Sequence, residues 1–170
     1  ERADALNQAD LQIAARLGMA RTLSLLNNGA QALEAAKQGL SLARRQQSVT
    51  HQINLLWALA NIYERHDLPA PADAPVTNVA LFYLQQAHAL AQGLQSYTIP
   101  GDLLDALARA HAQCGDMSSA YQVSLEANAA REKTHSLAAN NRAIAMQVRQ
   151  QTERALADGE YHRQLANSEA

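Results

Sequence analysis

The sequence has one cysteine, one tryptophan and one phenylalanine in 170 residues. A single thiol cannot close an internal disulfide, which fits a reducing, cytoplasmic setting. Aromatics make up 4% of the chain, too few for a β-sandwich core built from aromatic and β-branched residues. No run of eighteen apolar residues is present and no charged, apolar, small-residue succession marks a signal peptide, so direct membrane insertion is not expected. Nor is there an excess of positive charge. A formal net charge of -2 supplies no field that would hold a phosphate backbone, and nucleic acid is not an expected partner.

What is present is alanine and leucine at helical spacing, in a chain that is 48% hydrophobic and 18% charged. That composition is globular, and its small apolar residues suit helices that cross closely. The fold class is therefore all-α. The chain opens on Glu1 rather than methionine and closes in a helical pattern without a stop signal, which reads as part of a longer protein.

Leu103, Leu104, Leu107, Ala110, His111 and Cys114 form the stripe of an amphipathic helix, ended by Gly115-Asp116, after which another helix starts near Ser118. Upstream, Ile53, Leu56, Trp57, Ala60 and Tyr63 stripe one helix and Ala80, Tyr83, Leu84, Ala87, Leu90 and Ala91 its partner. A third pair precedes these: a helix over roughly residues 9 to 27, a break at Asn27-Asn28-Gly29, and a helix with Ala32, Leu33, Ala36, Leu40 and Ala43 inward. Three helical hairpins in succession suggest a repeat array.

The run Leu107-Ala108, His111, Gly115-Asp116, Ala120, Ser124, Ala127 resembles the tetratricopeptide repeat (TPR). Leu59-Ala60, Tyr63, Asp67, Ala80, Leu84 and Ala87 repeat the pattern, and Asn27-Asn28, Ala32, Ala36 and Gly39 do so weakly. The resemblance covers about residues 9 to 130 and implies a solenoid of about three hairpins ending in a long C-terminal helix. The spacing from Ala32 to Ala80 and on to Ala120 exceeds the ~34 residues of a regular repeat, so HEAT-like helical pairs stay open as a rival. Part of the surplus is "LPAPADAPVTN", residues 68–78, where Pro69, Pro71 and Pro75 forbid regular helix. This loop reads either as an inert insertion or as a flap over a ligand.

The organisation expected is a repeat domain over 1–130 and a connector helix over 131–170. The connector has a thin seam of Leu137, Ile144, Val148, Ala155 and Leu165 at heptad-compatible spacing, with Asn141, Gln151, Asp158 and His162 at the other core positions. A homodimeric coiled coil and a solvated capping helix both fit. The tail is similar to the connector that precedes the catalytic part of some bacterial diguanylate cyclases of the GGDEF family. That likeness implies a sensory module regulating a downstream output domain, although no residue of a GGDEF catalytic motif is present. The alternative is a free-standing TPR adaptor that collects peptide segments of partner proteins.

Chemistry within the segment is not expected. His111 and Cys114 share an apolar stripe and lack the further ligands of a zinc site, Cys114 has no activating neighbour in phase, and His51, His66, His88, His135 and His162 stand singly. Asp102 and Asp105 read as a solvated helical face. With no glycine-rich phosphate loop and no nucleophile elbow, neither an enzyme nor a cofactor is anticipated. The resemblance places the first helix of each hairpin along a concave groove. It thereby nominates Arg21, Asn54, Asn61, Glu64, Arg65, Asp105, Arg109 and Gln113 as contacts for a protein or peptide partner. A carboxylate clamp is not implied, because Asp102 and Asp105 stand where it would need cations.

Overall fold

The computed structural model describes residues 2–72, 78–95 and 97–168; side chains are described for residues 8–72, 78–95, 97–156 and 159. Six α-helices follow one another, and no strand occurs among the described residues. They are α1 (Arg2–Leu25), α2 (Gly29–Arg45), α3 (Val49–Arg65), α4 (Val79–Gln92), α5 (Gly101–Gln113) and α6 (Met117–Ser168). The chain divides into two units, Glu1–Ala130 and Arg131–Ala170.

Within the first unit α1 packs on α2, across a three-residue turn, and α3 packs on α4 despite the longer proline-bearing connection between them. The hairpins are then stacked: α2 and α1 both touch α3, and α4 touches α5. The turns are set by backbone that few residues adopt easily. Asn27 (φ 62°) and Gly115 (φ 79°) take the left-handed conformation that amides and glycine tolerate best, and Gln47 (φ 55°) does the same between α2 and α3. Side chains then restart the helices. Asn28 Oδ1 accepts from Gln31 N, Asn78 Oδ1 from Leu81 N at 2.9 Å, and Asp116 Oδ1 from Ser119 N at 3.0 Å.

The core runs through all three hairpins. From α2 it takes Ala32, Ala36, Leu40 and Ala43, from α4 Tyr83, Leu84, Ala87 and Ala91, and from α5 Leu103, Leu104, Leu107 and Ala110. The central helix α3 buries Ile53, Leu55, Leu56, Ala58, Leu59, Ala60 and Ile62, most of its circumference, because α1, α2 and α4 surround it. Trp57 and Tyr63 are half-buried against the same core. At about 1.5–3 kcal/mol for each large aliphatic side chain, this burial is the main reason α3 holds its place.

Two glycines permit the stacking. A Cβ on Gly39 would stand 2.9 Å from Leu55 Cδ2 and 3.1 Å from Arg16 Cβ, so glycine lets α2 lie this close to α3 and α1 without Leu55 or Arg16 having to shift. A Cβ on Gly29 would stand 2.6 Å from His66 Cγ. The α1–α2 turn is thereby pressed onto the end of α3, and Ser24 Oγ and His66 Nε2 hydrogen-bond across the contact at 3.0 Å.

The helix expected over residues 9 to 27 begins earlier and stops at Leu25. The proline-bearing connection contains no helix over residues 66–72, and the part of it over residues 73–77 lies outside the described residues. One expectation fails. Cys114 is exposed rather than the last member of the buried stripe, because α5 stops at Gln113, and Cys114, its C-cap, already belongs to the turn that Gly115 closes.

The described residues of the second unit, 131–168, are all part of α6. Every side chain from Glu132 to Leu156 is exposed, including Leu137, Ile144, Met146, Val148 and Leu156. Arg149 Nε donates to Glu153 Oε1 at 2.8 Å, one helical turn away. The side chains of Asp158, His162 and Leu165 lie outside the described residues.

Candidate functional site

The groove residues nominated from the sequence fall on the first helix of each hairpin: Arg21 on α1, Asn54, Asn61, Glu64 and Arg65 on α3, and Asp105, Arg109 and Gln113 on α5. On α3, Asn54, Asn61 and Arg65 are seven and four residues apart. On α5, Asp105, Arg109 and Gln113 are successive fourth residues. Each set therefore forms one row along its helix. Asn54 and Asp105 are half-buried, and the other six are exposed.

Three of the eight share a recess of about 470 Å³, where Glu64 and Arg65 from the end of α3 meet Gln113 from the end of α5. Arg21, Asn54, Asn61, Asp105 and Arg109 are not among its lining residues. Its walls include His66, Asp67 and Asn78. Local chemistry fixes their geometry. His66 is held by Ser24; Asn78 caps α4 through Oδ1 and donates from Nδ2 toward Cys114 Sγ at 3.5 Å. The Tyr63 and Tyr83 rings stack beside it, with centroids 5.8 Å apart. The recess thus gathers the ends of α3 and α5 and the start of α4, with a cation, carboxylates, amides and an imidazole on its walls. Such a mixture can hydrogen-bond a peptide backbone and meet either sign of charge.

Sequence reasoning did not nominate His66, Asn78 or Ser24. Asn78 carried a usable signal, since an asparagine directly before the apolar run of α4 is an N-cap signature. Ser24 and His66 carried none, because their contact depends on the close approach at Gly29.

Three further histidines, His51, His88 and His111, also have partners. His88 Nε2 lies 3.1 and 3.0 Å from the two Glu126 carboxylate oxygens, tying α4 to α6, and His51 Nδ1 meets Ser48 Oγ at 2.8 Å. His111 is half-buried, and its Nδ1 meets Asp116 Oδ2 at 3.2 Å. Hydrogen bonds from Ser119, followed by the bond and positive charge offered by His111, hold the Asp116 carboxyl below its ordinary value. These contacts brace turns and helix crossings. Among the described residues no group of three or more His, Cys, Asp or Glu could hold a metal ion. No described helix is long and apolar enough to cross a membrane.

No protein-family model matches the sequence, and no curated protein matches it. Among solved structures the chain is similar to the TPR domain of Arabidopsis FLU. The TM-score is 0.59 at 16% sequence identity, over 74% of this chain and 98% of that one. The similarity, together with the stacked hairpins, shows a TPR-like, all-α helical-repeat fold.

Proposed function

We propose that the chain is a non-catalytic protein-interaction module whose first-helix rows take up a peptide segment of a partner. The observation that carries this reading is the paired rows Asn54, Asn61, Arg65 and Asp105, Arg109, Gln113. They are polar, mostly exposed side chains on helices that bury their other faces, and Arg65 and Gln113 of these rows converge with Glu64 at one recess. Peptides selected from a random display library against the intact chain should lose most of their affinity for a variant carrying Asn61→Ala, Arg65→Ala, Arg109→Ala and Gln113→Ala. Selected ligands that bind both proteins equally would refute the groove.

The finer reading is regulatory: the second unit pairs with the same unit of another copy and passes the array's state to an output domain of the diguanylate cyclase type. Its support is the apolar seam of Leu137, Ile144 and Val148, exposed on a helix with no other element of its own unit to pack against. Asn141 falls at a core position of that seam, where a buried amide pair favours two parallel, in-register strands. Sedimentation should show the intact chain as a dimer and a variant carrying Leu137→Asp and Ile144→Asp as a monomer. A monomeric intact chain at micromolar concentration would instead favour the free-standing adaptor.

A further inference from the structure

We infer that the outward face of α2 is a second docking surface, separate from the groove, and that its occupant is an acidic peptide segment with interspersed apolar residues from a partner protein.

Two clefts meet on this face. One, of about 610 Å³ between α1 and α2, is lined by Arg16, Met19 and Gln38 among others; the second, of about 440 Å³, runs from α2 to α4 past Lys37, Arg44, Phe82 and Pro71. Ser41 and Arg45 line both, so the two form one continuous surface. Four cations border it, and no Asp or Glu lines either cleft. In a chain of net charge -2 that segregation is local.

The elements behind the surface explain it. α4 has no Asp or Glu at all, and the one carboxylate of α2, Glu34, accepts a hydrogen bond from Gln38 Nε2 at 2.8 Å. Asp10 of α1 is turned toward His51, 3.9 Å away. Arg16, Lys37, Arg44 and Arg45 have no ion-pair partner among the described residues. Arg44 and Arg45 suit the negative end of α2, but that field does not reach back to Lys37 or across to Arg16. A Cβ on Gly39 would stand 3.1 Å from Arg16 Cβ, so the missing side chain lets α1 approach α2 closely where Arg16 borders the cleft.

Spacing selects the ligand. Lys37 and Arg44 are two helical turns apart, about 11 Å along the axis, so they do not converge on a single phosphate. In an extended peptide, carboxylates four residues apart span about 13 Å and those two apart about 7 Å, a ladder that such cations can follow. Half-buried Phe82 and Pro71 give the second cleft apolar contact area for side chains between the acids, above the buried Leu40 and Leu59. Four cations on a net-negative chain make a weak field for a nucleic acid or an anionic bilayer, both of which need broad positive charge.

The test is fluorescence anisotropy of a labelled synthetic peptide of alternating Glu and Leu, titrated with the intact chain. Binding is expected, weakening as sodium chloride is added. A variant carrying Lys37→Gln, Arg44→Gln and Arg45→Gln should bind about tenfold more weakly or worse, and Arg16→Gln should lose a smaller factor. The groove variant with Asn61→Ala and Arg109→Ala should bind as the native chain does, which separates this surface from the proposed groove. Should the neutralised variant lose its helical circular dichroism, a charge-reversed one with Lys37→Glu, Arg44→Glu and Arg45→Glu takes its place, expected to bind the corresponding Lys-Leu peptide instead. Equal binding of the Lys-Leu peptide by the native chain would overturn the inference. So would unchanged affinity in the neutralised variant, or binding to phosphatidylserine vesicles without binding to the peptide.

Discussion

α3 and the last stretch of α6 are both regular helices, yet nothing else about them is alike. Along α3, seven of seventeen residues are buried, among them Ile53, Leu55, Leu56, Leu59 and Ile62. Along residues 132–156 every side chain is exposed, and leucine, isoleucine and valine stand in solvent beside arginine and glutamine. The first helix is specified by what surrounds it. The second is specified by local propensity and by pairs such as Arg149 with Glu153, so its apolar seam is free to serve contacts outside its own unit.

The largest test of this contrast is truncation at matched positions. Leu56→Ala, in the centre of α3, should destabilise the first unit by about 2–5 kcal/mol in urea denaturation, through lost burial and the cavity left behind. Ile144→Ala should leave the same transition within ~0.5 kcal/mol of native, since its side chain is exposed. Similar losses from both would mean that the tail is part of the packed array.

Next comes Gly29→Ala. The new methyl would improve intrinsic helix propensity, so any net loss must come from displacing His66; a destabilisation of about 1–3 kcal/mol is expected, along with rupture of the Ser24–His66 bond. Adding His66→Ala should restore part of the stability. If it does not, the approach of the α1–α2 turn to α3 is looser than described.

A smaller effect concerns pH at the turn that starts α6. The Asp116 pKa is depressed in the folded chain, so its contribution to stability is present above the unfolded value near pH 4 and fades as pH falls through the lower folded value. The stability difference between native and Asp116→Asn proteins should therefore shrink as pH falls below about 4. A difference that grows on acidification would reverse the assignment.

The smallest effect is in the tail itself. Glu153→Gln should cost helicity equivalent to about 0.3–0.5 kcal/mol at low salt and almost nothing at high salt, read by circular dichroism.

The hairpins were legible in the sequence because their signals are periodic and short-range. Stripes such as Leu103, Leu104, Leu107 place a helix face, and Asn27-Asn28-Gly29 and Gly115-Asp116 mark breaks that the backbone angles of Asn27 and Gly115 then realise. Contacts between distant residues were not legible. Nothing in the spacing of Ser24, Gly29 and His66 says that they meet, and nothing in the spacing of Lys37, Arg44 and Arg45 says that Phe82 and Pro71 lie beside them. Cys114 shows the limit of periodicity itself: the stripe counts residues and does not register that the helix has ended.

Trp57, half-buried against the core of the first unit, is the chain's only indole. Its fluorescence is therefore an intrinsic optical reporter seated in the array, whereas far-ultraviolet ellipticity sums over both units. Melting curves recorded by the two signals need no label to reveal whether the long helix frays on its own or dissolves together with the domain that begins it.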